Sequence, residues 1–174
     1  MLNEDGRCHS FDSRGSGYGR GEGSATVIVK KLDDAIRCGD PIRGIICNTA
    51  VNQDGKTSGI TFPSQIAQEN LQRSIYEKTA IDPRTVGYVE AHGTGTSAGD
   101  LAEIGAIGAV FCNDRESPLY VGSIKSNVGH LESASGLAGL IKAILVLEKG
   151  LIPPNADFQV TKAELKLSNH NIIV

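Results

Sequence analysis

Val86-Gly-Tyr-Val-Glu-Ala-His-Gly-Thr-Gly-Thr96, continuing as Ser-Ala-Gly-Asp100-Leu-Ala-Glu103, carries the pattern that decides the fold. Val86 to Ala91 reads as a strand that runs straight into a Gly/Thr loop. Asp100 with Glu103 three residues later is a capping-box pattern, and it opens a helix to about Phe111. Leu119 to Ile124 is the next strand. Strand, loop, helix and strand in this order build an α/β layered fold.

Working outward, Ser64 caps a helix to about Lys78, in which Ala67, Leu71 and Ile75 repeat at fours before Asp82-Pro83. Leu137, Leu140, Ile141, Ile144, Leu145 and Leu147 keep helical spacing up to the stop at Lys149-Gly150. The small residues from Ala134 to Gly139 predict close packing of that helix against another backbone. Upstream, Ala25 to Val29 and Ile42 to Val51 are apolar and β-branched, and both read as strands. Asp33 to Arg37 forms a short helix between them. Asn171 to Val174 is a strand just beginning, so truncation is expected.

The 174 residues hold 40% hydrophobic and 21% charged side chains, as an ordinary globular domain does. A net charge of -3 excludes an electrostatic nucleic-acid binder. No apolar run approaches a membrane span, and the polar start is not a signal peptide, so a cytoplasmic location is expected. Cys8, Cys38, Cys47 and Cys112 are widely spaced. Free thiols are the favoured reading over disulfides, and no metal site is expected.

His92 leaves a strand into a Gly/Thr loop, and His130 ends Gly122-Ser-Ile-Lys-Ser-Asn-Val-Gly-His130 between a strand and a long helix. In open α/β sheets ligands bind beyond the carboxyl ends of strands, so both imidazoles reach one crevice. Two imidazoles with the Lys125 ammonium suit chemistry in which negative charge develops on oxygen. Thr94 and Thr96 offer hydroxyls to a polar ligand arm. Two decoys fail. Ala50 to Thr57 lacks the first glycine and the following helix of a phosphate loop, and Gly15 to Gly23 precedes a strand, the reverse of a dinucleotide site.

Phe11-Asp-Ser13 with Gly15 to Glu22, Ala50-Val-Asn-Gln-Asp-Gly55, Glu90 to Thr96, Gly122 to His130, and Gly150-Leu-Ile-Pro-Pro-Asn155 resemble the ketosynthase (β-ketoacyl synthase) domain of type I polyketide synthases, of the fungal iterative kind. The resemblance covers essentially the whole chain. It implies a thiolase-like α/β fold, here partial and truncated at both ends, with a mixed sheet layered with helices. Residues 1–60 or so would end its N-terminal half, and about 61–174 would form most of its C-terminal half. It also implies decarboxylative Claisen condensation of malonyl units with acyl thioesters, an acyltransferase reaction. No cofactor would bind directly, because the substrate rides on the phosphopantetheine arm of an acyl carrier protein. The complete domain would be a homodimer.

By the same resemblance His92 and His130 stabilise the enolate, Lys125 supports His92, and Thr94 and Thr96 bind the pantetheine arm. Asp100 or Glu103 would partner the lysine, since Gly139 stands where some bacterial condensing enzymes carry a glutamate. The departure is the nucleophile: none of the four cysteines lies in an elbow of small residues. The isolated chain is therefore expected to be inactive. The alternative is a catalytically silent ketosynthase-like partner module.

Overall fold

The computed structural model describes residues 1–59 and 61–174. Its centre is a sheet of three short strands, β1 (Tyr88–Glu90), β2 (Leu119–Gly122) and β3 (Ile172–Ile173), in that spatial order. Both pairs are parallel, with Val89 opposite Val121 and Leu119 opposite Ile172. An isolated antiparallel bridge joins Asp12 to Thr161. Aromatic and β-branched residues such as Tyr88, Val89, Val121 and Ile172 suit this half-buried pleated surface. The expected strand at the end of the chain is present, at the edge of the sheet.

Among the described residues the chain forms five α-helices: α1 (Leu32–Cys38), α2 (Gln65–Tyr76), α3 (Ser97–Phe111), α4 (Lys125–Val128) and α5 (Ser135–Lys149). Ser64 Oγ accepts the Ala67 N–H at 3.1 Å, the cap expected for α2. Gly150, left-handed at φ 61°, stops α5. The start of α3 differs from the capping-box reading. The helix begins at Ser97 after Thr96, and the Asp100 and Glu103 carboxylates turn to backbone amides of the preceding loop instead of capping the helix.

The core lies between α3, the sheet and the opening loop. Phe11, Ile104, Ile107 and Leu119 are fully enclosed, and burial of each such side chain contributes about 2 kcal/mol.

The two upstream strands do not form. Residues 25–29 and 42–51 belong to no ladder, and Ile28 and Val51 are 97% and 95% exposed. A strand needs a partner for its backbone groups, and among the described residues these segments have none. The second is instead tethered by side chains. Asn48 Nδ2 donates to the Ile75 carbonyl at 3.0 Å, Asn52 Nδ2 donates to the Ala67 carbonyl at 2.7 Å, and Arg43 pairs with Glu148 of α5. The expected division near residue 60 falls on Ile60, outside the described residues. Among the described residues no helix is long and apolar enough to cross a membrane.

Candidate active site

β1 continues as a ladder through Ala91, whose N–H donates to the Gly122 carbonyl at 2.8 Å, and then turns at His92. The turn is left-handed at Gly93 (φ 45°) and Gly95 (φ 82°), and a Cβ on Gly93 would stand 2.6 Å from Cβ of Ser123. Only glycine meets both demands. The Glu103 carboxylate, reaching back from α3, accepts the N–H groups of His92 and Gly93 at 2.6 and 2.8 Å.

The loop after β2 is tied to this turn. Ser123 Oγ donates to the His92 carbonyl at 3.2 Å, and the Ser123 N–H donates to Asn155 Oδ1 at 2.9 Å. His130 closes that loop beside the glycine-rich opening stretch. Its N–H donates to the Gly19 carbonyl at 2.7 Å, and its carbonyl accepts from Gly21 at 2.9 Å. The two imidazoles thereby meet edge to face, with ring centroids 5.3 Å apart. The convergence of the two imidazoles expected from the two strand exits is observed.

Both rings are biased toward the neutral form. One face of His92 is open, yet the protein packed around the rest pushes its pKa down to about 4, with Lys125 and His130 adding to the effect. Burial, Lys125 and Arg20 lower that of His130, against the Glu132 carboxylate. His130 Nδ1 accepts the Glu132 N–H at 2.9 Å, so the ring proton is on Nε2. Lys125 is 5% exposed and makes no ion pair among the described residues. Burial lowers its pKa, while the Glu103, Glu90 and Cys8 charges oppose that shift. Arg7, Cys8, Arg20, Lys125 and Asp157 line a cavity of about 450 Å³ on this side.

Thr94 and Thr96 lie in the His92 loop with their hydroxyls 3.1 Å apart. The two candidate acids divide. Glu103 bears on Lys125 through space, whereas Asp100 pairs with Lys162 at 3.5 Å and accepts from Phe11 and Gly95. Asp100 thus anchors the Thr loop and is not the lysine's partner. Of the cysteines, Cys8 lies nearest the cavity. Its thiol exchanges hydrogen bonds with Gly19, and burial raises its pKa, which suits an inert group.

Sequence reasoning missed a buried set behind Lys125. Glu90 accepts the Ile124 N–H at 2.6 Å, pairs with Lys142 Nζ at 2.9 Å, and accepts from the Tyr88 hydroxyl. Burial and that carboxylate push the Tyr88 pKa well up. A Cβ on Gly139 would stand 3.2 Å from Glu90 Cγ, so the small residue in α5 leaves space for this acid. The available signal was Lys142 itself, a cation interrupting the apolar run Leu140 to Leu147.

Residues 43–159 match the profile of the β-ketoacyl synthase C-terminal domain, and residues 1–35 match that of the N-terminal domain. The chain is 59% identical over 176 residues to the highly reducing polyketide synthase sdnO of Sordaria araneosa. It is 56% identical over 172 residues to the highly reducing polyketide synthase AFT9-1 of Alternaria alternata. These alignments cover 99–100% of this chain but only 6% of each relative. Among solved structures, the ketosynthase from module 6 of the bacillaene synthase of Bacillus subtilis 168 superposes with TM-score 0.95 at 39% identity, over 100% of this chain and 31% of that one. The oxazolomycin ketosynthase domain OzmH KS7 of Streptomyces albus gives 0.94 at 35%, over 99% of this chain and 30% of that one.

Proposed function

This chain belongs to the β-ketoacyl synthase family, and on that premise we propose that it forms the enolate-stabilising part of a ketosynthase in a polyketide synthase. The parent enzyme is an acyltransferase that joins a malonyl unit to an acyl thioester. The malonyl group arrives on the phosphopantetheine arm of an acyl carrier protein, and Thr94 and Thr96 receive that arm. As the carboxylate leaves as carbon dioxide, its bonding electrons pass into the thioester and negative charge builds on the thioester oxygen. His92 and His130, both neutral, donate N–H bonds to that oxygen, and the Lys125 charge favours it. The enolate carbon then attacks an acyl thioester held on a cysteine, and the thiolate departs. The complete domain works as a homodimer.

One observation carries this reading: two imidazoles with ring centroids 5.3 Å apart, one directly after β1 and the other in the loop that follows the adjacent parallel strand β2. Preorganised donors of this kind are worth about a hundredfold to a thousandfold in rate each. The test is malonyl decarboxylation by the complete synthase that carries this sequence, followed as carbon dioxide release. His92→Ala and His130→Ala should each abolish most of it. Wild-type rates in both variants would overturn the reading and favour a silent partner module. The chain by itself, given radiolabelled acyl thioester and malonyl carrier protein, should yield no condensed product, because it supplies no nucleophile in an elbow.

A further inference from the structure

Asp100 and Glu103, one turn apart on α3, grip different halves of the loop that holds the site. Glu103 takes the N–H groups of His92 and Gly93, on the imidazole side. Asp100 takes the Gly95 N–H at 3.1 Å, between the two threonines. Lys162, from the chain beyond α5, completes that second grip. Its own N–H is fixed on the Phe11 carbonyl at 3.1 Å. Its Nζ lies 3.5 Å from Asp100 Oδ2 and donates to the Gly95 carbonyl at 3.2 Å. One ion pair thus holds both the N–H and the C=O of Gly95. Burial raises the pKa of Asp100, while Lys162 and the Phe11 and Gly95 amides pull it back down. The pair is also closed in. Lys162 is 7% exposed, and a Cβ on Gly15 would stand 2.9 Å from its Nζ and 2.5 Å from the Gly95 carbonyl oxygen. The ammonium is therefore committed to the loop and is not a contact for substrate.

We propose that Lys162 is a positioning residue for the thioester arm, setting the Thr94 and Thr96 hydroxyls through the Gly95 peptide between them. This rests on the reading of those threonines as the arm's partners, and it names the distant side chain that orders them. Gly95 is left-handed at φ 82°, and the two hydroxyls on either side of it stand 3.1 Å apart. Both lie over the first turn of α3, where a Cβ on Gly99 would stand 2.4 Å from Thr96 Oγ1 and 3.6 Å from Thr94 Oγ1. A rotation of the Gly95 peptide swings both threonines away from this arrangement. Holding the peptide before the arm arrives removes the cost of ordering the loop on binding. Among the described residues Lys162 bonds to neither histidine. Its effect falls on the arm and spares the enolate donors.

The experiment compares two malonyl thioesters in carbon dioxide release by the complete synthase, with its own carrier domain left unloaded. Malonyl carrier protein brings the arm, and malonyl ethyl thioester has none. Lys162→Met should raise KM for malonyl carrier protein about tenfold, with kcat for it and kcat/KM for the ethyl thioester changed less than about twofold. Thr94→Val combined with Thr96→Val should show the same split. Equal losses on both thioesters, a loss confined to kcat, or no loss at all in Lys162→Met overturns the inference. Where Lys162→Met does not fold, Lys162→Met combined with Asp100→Asn, which strands no buried charge, should give the split. Failure of that variant to fold assigns Lys162 to stability alone and also overturns the inference. No split in the threonine variant removes the reading of the arm site, and the inference with it. A split there without one in the Lys162 variants removes the inference alone.

Discussion

Helices α3 and α5 are each 15 residues long and flank the same sheet, yet they meet it in opposite ways. α3 turns Ile104, Ile107, Val110 and Phe111 into the core. α5 buries Ser135, Gly139 and Lys142, and leaves Leu145 and Leu147 45% and 72% exposed. On the α3 side the chain supplies its own partners. On the α5 side Leu137, Leu140, Ile141 and Ile144 are only half-buried, and the unladdered segment at 42–51 lies along the same helix through Arg43 and Gly44. The difference shows that the buried face of α5 is organised by polar chemistry behind the site and not by oil-like packing.

That contrast can be broken at several points. The largest effect is expected at the site, where His130→Ala should reduce carbon dioxide release on the order of a thousandfold. Next is the polar face: Lys142→Met strands the Glu90 carboxylate and should destabilise the fold by about 4 kcal/mol, measured by urea unfolding. A loss below about 1 kcal/mol would mean that the pair is not holding the Ile124 turn. Leu119→Ala, on the closed side, opens a cavity and should cost about 3 kcal/mol.

Acid should weaken the fold in two stages. His92 has a folded pKa of about 4, below its unfolded value. Its contribution is complete above about pH 6.5 and is lost as pH falls toward 4. Asp12, held far down by bonds from Arg14, Gln159 and Val160 against the cost of burial, contributes above about pH 4 and loses that contribution below it. The urea midpoint of His92→Gln should therefore change less between pH 7 and pH 4 than that of the wild type. The smallest effect belongs to the open side: Leu147→Ala should shift stability by less than about 0.5 kcal/mol. If it matched Leu119→Ala, the contrast between the helices would fail.

Most helices were legible because their signals are local: Ser64 as a cap, Gly150 as a stop, leucines at helical spacing. The place of His92 was legible for a similar reason, since a histidine next to a strand end can be placed from the strand alone. The start of α3 was not, because Asp100 and Glu103 bond to loops 5 to 11 residues upstream and to Phe11, not to their own helix. Glu90, Lys142 and Ser135 were passed over because a charge or hydroxyl in sequence does not reveal what will bury it. The strands expected at 25–29 and 42–51 failed on the same ground: β-propensity names a segment fit for a ladder without providing one.

From residue order alone came the alternation of strand and helix, the helix ends, and the pairing of His92 with His130 at one crevice. Each depends on neighbours a few positions apart, where backbone geometry leaves little freedom. Folding in three dimensions settled which nitrogen of His130 holds the proton, which acid answers Lys125 and which answers Lys162, and which apolar runs find partners. Those outcomes depend on groups distant in the chain meeting within hydrogen-bond reach, and no local pattern encodes that.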